Sequence, residues 1–117
     1  MGRKVFTCGL EAALAMIGGK WKFLILWHLA HKPSRFGDLR RLIGGISEKM
    51  LIQELKEMVA DQLVSRRDFK EVPPRVEYRL TDLGRGLTPV FLALADWADA
   101  RNQQTEAPST GELARLP

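Results

Sequence analysis

The sequence predicts a mainly α-helical fold with one small β-hairpin, and three observations predict it. Apolar residues recur at helical spacing in five successive segments. One stretch, Arg75–Leu80, instead alternates strictly between apolar and polar residues, the period of a half-buried strand. Glycine pairs and prolines separate these segments and place the turns. The chain has 117 residues, 45% of them hydrophobic and 27% charged, enough for one compact domain with a core of its own.

Leu10, Ala13, Leu14 and Ile17 follow helical spacing and stop at Gly18-Gly19, which suits a helix C-terminus. A second helix is expected over about Lys20 to His31, where Trp21, Phe23, Leu24, Ile25, Leu26, Trp27 and Leu29 imply burial from several directions. Pro33 ends it, because the residue before a proline disfavours helical backbone. Ser34 is the expected cap of a short third helix with Phe36, Leu39 and Ile43 inward. Gly44-Gly45 allows a sharp turn of positive φ, and Ser47 is placed to cap a fourth helix buried along Leu51, Leu55, Met58 and Val59.

Strand propensity then runs from Leu63 to Phe69, and the alternating Arg75–Leu80 turns Val76, Tyr78 and Leu80 to one face. Between them Lys70-Glu71-Val72-Pro73-Pro74 is too long for a two-residue turn, and its prolines favour an extended, exposed tip. Thr81 is the expected cap of a last helix with a stripe of Leu83, Leu87, Val90, Leu94 and Trp97, kinked by Pro89. Two short helices across a glycine turn, followed directly by a long-tipped hairpin, describe a winged helix-turn-helix. The flanking helices, each apolar along one face, are candidate dimerisation helices, with Leu10, Leu14, Leu94 and Trp97 as interface residues. The expected division is a winged-helix domain with terminal dimerisation helices over residues 1–102 and a flexible C-terminal tail over 103–117.

The net charge is +4, unevenly spread. Residues 1–49 hold nine Lys/Arg against three Asp/Glu, residues 50–80 six of each, and residues 81–117 three against five. A basic N-terminal half with a mildly acidic C-terminal end suits a polyanionic partner on one side. No apolar run approaches the roughly 20 residues of a membrane span, and no signal-peptide pattern opens the chain, so a soluble cytoplasmic protein is expected. No nucleophile–base pair or metal cluster is apparent, and Gly18-Gly19-Lys20 lacks the spacing of a phosphate loop, so neither an enzyme nor a cofactor is expected. His28 and His31 have no further ligand to join them at a metal. Trp21, Phe23 and Trp27 read as core, with a small-molecule pocket as the other reading.

Several strings resemble one known family. Ile17-Gly18-Gly19-Lys20-Trp21, Leu24-Ile25-Leu26, Arg35-Phe36-Gly37-Asp38-Leu39, Gly45-Ile46-Ser47-Glu48-Lys49-Met50-Leu51, and Val72 to Thr81 followed by Leu83-Gly84 are similar, in order, to the HxlR regulators of bacteria. Trp97 matches a tryptophan late in that family's final helix, and the likeness spans about Cys8 to Ala100. The resemblance implies a winged-helix fold of MarR-like type, a homodimer, and regulation by binding near promoters. It also implies that Cys8 stands where some members carry an oxidant- or electrophile-sensing cysteine. Two positions depart from the pattern: Cys8 is followed by Gly9 where the family often has proline, and Gln62 stands where it tends to have glycine. A left-handed Gln62 would cost about 1 kcal/mol.

The candidate DNA contacts follow from the helix faces. With its apolar stripe inward, the fourth helix turns Glu48, Lys49, Ile52, Gln53 and Lys56 outward, and the N-terminal end of such a helix fits a major groove. Lys49 suits guanine, Gln53 adenine and Ile52 a thymine methyl, whereas Ser47 and Lys56 suit phosphate. Arg35, Arg40 and Arg41 on the third helix serve as phosphate anchors, and Arg75, then Lys70, as wing contacts. The expected partner is a pseudo-palindromic operator in double-stranded DNA, with repression as the mode. Cys8, the one cysteine, has two readings: a small residue filling space, or a sensor thiol at a helix start near Arg3 and Lys4. The competing functions are a winged helix for protein or RNA contact and a regulator answering to a non-covalent ligand.

Overall fold

The computed structural model describes residues 8–105, with side chains through residue 102. The elements run α1 (Gly9–Ile17), α2 (Lys20–His31), α3 (Phe36–Leu42), α4 (Glu48–Ala60), β1 (Val64–Asp68), β2 (Val76–Leu80), α5 (Asp82–Arg85) and α6 (Thr88–Thr105). The strands pair antiparallel from Val64↔Leu80 to Asp68↔Val76. This is a mainly helical winged helix-turn-helix domain. α6 passes the expected boundary at residue 102, and residues 106–117 of the expected tail lie outside the described residues, as do Arg3 and Lys4.

α2 is the centre of the domain. Its Ile25, Leu26 and Leu29 are buried, and it touches α3, α4, α6 and β2. Leu39 and Ile43, Leu51, Leu55 and Met58, and Val64 and Leu80 close the core around it. The turn between α3 and α4 uses Gly45 at φ +87°, with open space where a side chain would stand. Ser47 caps α4 as expected, its hydroxyl accepting from the Met50 N–H at 3.0 Å. Gln62 adopts φ +63°, the left-handed position its place before the strand predicts.

Four expectations need correction. Ser34 does not cap α3; its N–H donates to the Tyr78 carbonyl at 2.9 Å and its carbonyl accepts from the Tyr78 N–H at 2.8 Å. The backbone there is committed to the hairpin, so Arg35 becomes the N-cap, its N–H donating to Asp38 Oδ2 at 3.3 Å. Val59 is 37% exposed, because a position eight residues after Leu51 lies about 80° around the helix from it. The last helix is two helices, with the break at Gly86-Leu87. Pro89 therefore falls in the first turn of α6, where no intrahelical donor is needed, and causes no kink. Along the expected apolar stripe Leu83, Val90, Leu94 and Trp97 are exposed and Leu87 is partly buried against the core, while Phe91 is the buried residue of α6.

The root of the wing is fastened at one carbonyl. Leu63 O accepts from the Thr81 N–H at 3.1 Å, while the Thr81 hydroxyl donates to Gln62 O at 2.6 Å and accepts from the Gly84 N–H at 3.0 Å. A Cβ on Gly84 would stand 2.2 Å from Leu63 O, so only glycine lets α5 lie this close. Gly84→Ala is expected to cost about 3 kcal/mol, because backbone must move. Gly45→Ala meets only its backbone preference, about 1 kcal/mol. Thermal melts check the order; an equal or reversed pair would contradict the contact at Leu63.

Candidate nucleic-acid interface

α4 is amphipathic and capped at Ser47, so one face packs on α2 while the other meets solvent. Lys49, Ile52, Gln53 and Lys56 all lie on that outer face and are exposed. Glu48, Lys49, Ile52 and Gln53 line one shallow cleft. Ile52 also borders a second cleft, formed with Leu55, Lys56, Val59, Arg66 and Tyr78 where α4 meets the hairpin. The sequence-predicted reading residues are thus brought together, and Arg66 of β1 joins them from the wing. Among the described residues, Lys49, Lys56, Arg66 and Lys70 have no acidic partner within ion-pair distance.

Of the other predicted cations, Arg35 is exposed at the N-cap of α3 with no acidic partner within ion-pair distance among the described residues, and three are engaged. Arg40 lies 3.6 Å from Glu48, and Arg41 pairs with Asp38 on its own helix. Arg75 is one-third exposed, with its guanidinium 3.6 Å from the Phe69 ring centre and 3.3 Å from Glu71. Arg75 therefore stiffens the wing tip, and Lys70, at φ +57° with its N–H donating to Asp68 Oδ1, is the more exposed of the two wing residues. Exposed ion pairs contribute about 0–1 kcal/mol, so a DNA phosphate can take over Arg40 or Arg41 at little cost.

A polar brace behind α4 is absent from the sequence reading. Lys22 of α2, its side chain 13% exposed, donates to Glu57 Oε1 at 2.6 Å and lies 3.3 Å from Glu54 Oε2. Glu57 Oε2 in turn accepts from Gln53 Nε2 at 2.7 Å. Burial alone would lower the Lys22 pKa, but the bonds to Glu57 and Glu54 outweigh it and hold the ammonium above its usual value. The hydrogen bond from Lys22, with that from Gln53, holds the Glu57 carboxyl below the ordinary range. The signal available in the sequence was one lysine inside an otherwise apolar run of α2. Burial, with nearby His31, lowers the His28 pKa, and His31 Nδ1 lies 2.8 Å from the Trp27 carbonyl.

Away from this face, Leu10 and Leu14 of α1 are 68% and 51% exposed, and Leu94 and Trp97 of α6 are 50% and 64% exposed. Phe23, Leu24, Trp27, Phe91, Leu94, Ala95 and Ala98 line an apolar cavity of about 200 Å³ between α2 and α6. Phe23 and Trp27 border it, while Trp21 packs against the core with the Lys20 ammonium over its ring. Cys8 is the exposed N-cap of α1. Among the described residues, no helix is long and apolar enough to cross a membrane.

A family model described as HxlR-like helix-turn-helix matches residues 16–106. The chain is 43% identical over 112 residues to the HTH-type transcriptional regulator YkvN of Bacillus subtilis (strain 168), covering 96% of this chain and 95% of that protein. Among solved structures, that of the HTH-type transcriptional regulator YtcD is similar with a TM-score of 0.79 at 41% identity, covering 83% of this chain and 99% of the other. The redox regulator HypR in its reduced form is similar with a TM-score of 0.79 at 37% identity, covering 85% and 98%.

Proposed function

The chain belongs to the HxlR-like helix-turn-helix family of transcriptional regulators, and on that premise we propose that it represses by binding an operator as a homodimer. α4 enters the major groove. Lys49 and Gln53 read guanine and adenine edges, Ile52 meets a thymine methyl, and Ser47, Lys56, Arg35, Arg40 and Arg41 hold phosphates. Lys70 and Arg75 place the wing on the adjacent groove. The observation that carries this reading is the outer face of α4, where two unpaired lysines flank an exposed Ile52 and Gln53.

The homodimer is supported by the apolar residues Leu10, Leu14, Leu94 and Trp97, left uncovered on the two flanking helices. Sensing through Cys8 is supported by its exposure at the start of α1 and by the likeness to a protein described as a redox regulator. A non-covalent apolar effector is the second reading, favoured by the cavity between α2 and α6.

Titration against operator and random duplexes at several salt concentrations tests the DNA contacts. Lys49→Ala and Gln53→Ala are expected to narrow the gap between the two DNAs, each by about tenfold. Arg40→Ala weakens both alike and lowers the salt slope by about 1. Equal losses on both DNAs for all three variants contradict the base-reading roles, and a shallow slope with no duplex preference favours a protein- or RNA-binding module. Trp97→Glu is expected to turn a dimer into a monomer in sedimentation velocity; a monomeric parent chain refutes the interface. A quinone or diamide is expected to reduce operator affinity of the parent chain and not of Cys8→Ser. The same response in both removes Cys8 as the sensor.

A further inference from the structure

A glutamine side chain can face a base in two ways, because its amide turns over to exchange oxygen and nitrogen. Only one of them offers adenine its matching acceptor and donor in the right places, and a freely turning amide also bonds to thymine, guanine or cytosine. What holds Gln53 therefore bears on what it reads. Its Nε2 donates to Glu57 Oε2 at 2.7 Å, while Glu57 Oε1 accepts from Lys22 at 2.6 Å. An ionised carboxylate accepts and never donates, so Gln53 can meet it only through nitrogen. Lys22 reaches this carboxylate from α2, an element that does not belong to the reading face, and its second contact with Glu54 fixes it there.

We propose that Glu57, anchored by Lys22, is a positioning residue that locks the Gln53 amide in one orientation and so sets the base preference of α4. The lock leaves Gln53 Oε1 and one N–H free to face the groove, the pair that matches the N6 donor and N7 acceptor of adenine. Glu57 itself touches no base; it acts through Gln53. The inference rests on Gln53 being a base reader, as proposed above.

The test is selection of bound duplexes from a random library with the full-length chain, followed by titration of the selected duplex and its single-base variants. The parent chain is expected to prefer A·T at one position of each half-site by about tenfold. Glu57→Gln keeps the size of the side chain, but Lys22 can only donate and so takes its oxygen, leaving its amide nitrogen toward Gln53, which then meets it through Oε1 and loses the orientation that suits adenine. That preference is expected to fall to about threefold or less, with affinity for the selected duplex within about threefold and the salt slope unchanged. Glu57→Ala is expected to act in the same direction. Both side chains lie at the surface, and a melting curve confirms that each variant is folded. If Gln53→Ala abolishes the preference and the Glu57 variants keep it, the positioning role is overturned while the base reader stands. If Gln53→Ala also keeps it, both fall together.

Discussion

α2 is the post on which the rest of the domain is set. Ile25, Leu26 and Leu29 are buried at its centre, each contributing about 1.5–3 kcal/mol of side-chain burial. The same helix touches α3, α4, α6 and β2, so one short apolar segment fixes the turn, α4 and the wing together. A domain of this size has only enough core for one such post. α1 contributes Ile17 to it, with Met16 packed partly against it, and α6 contributes Phe91, while Leu10, Leu14, Leu94 and Trp97 stay exposed. The exposed apolar residues of α1 and α6 and the well-packed helix-turn-helix are therefore two consequences of the same constraint.

The electrostatics of the outer α4 face are more selective than the charge of the chain. Arg40, Arg41 and Arg75 are taken up by Glu48, Asp38 and Glu71, whereas Lys49, Lys56, Arg66 and Lys70 have no such partner among the described residues. Of these four, Lys49 and Lys56 lie on α4 and Arg66 borders the cleft where α4 meets the hairpin. Under the proposed DNA reading, phosphate neutralisation is additive in the number of free contacts; these four cations need break no ion pair, whereas Arg40, Arg41 and Arg75 must first give up a carboxylate.

The helices and the wing were legible in the sequence because their signals are local. A serine one residue before α4, a glycine needing positive φ, and an alternating strand each act within a turn or two of the chain. What was missed depends on residues that are distant in sequence. Ser34 has the side chain of a cap, yet its backbone pairs with Tyr78. Pro89 reads as a kink only if the helix begun after Thr81 runs on unbroken; α5 ends at Arg85 and α6 starts at Thr88, which leaves Pro89 harmless in a first turn. At the candidate site, the outward face of α4 followed from its apolar period, but the Lys22–Glu57–Gln53 chain needs the packing of α2 on α4 and has no period to betray it. The apolar stripe of Val90, Leu94 and Trp97 was legible, but the buried Phe91 lies outside it, since periodicity shows that a face is apolar and not what covers it.

The central claim is that two copies of α4 enter successive major grooves of one operator. Hydroxyl-radical footprinting of the full chain on a selected duplex, paired with methylation interference at guanine N7, tests it most directly. The account expects two protected regions related by a two-fold axis, one helical turn or a multiple of it apart, each with interference in the major groove. A single asymmetric region, or protection with no major-groove interference, would contradict it.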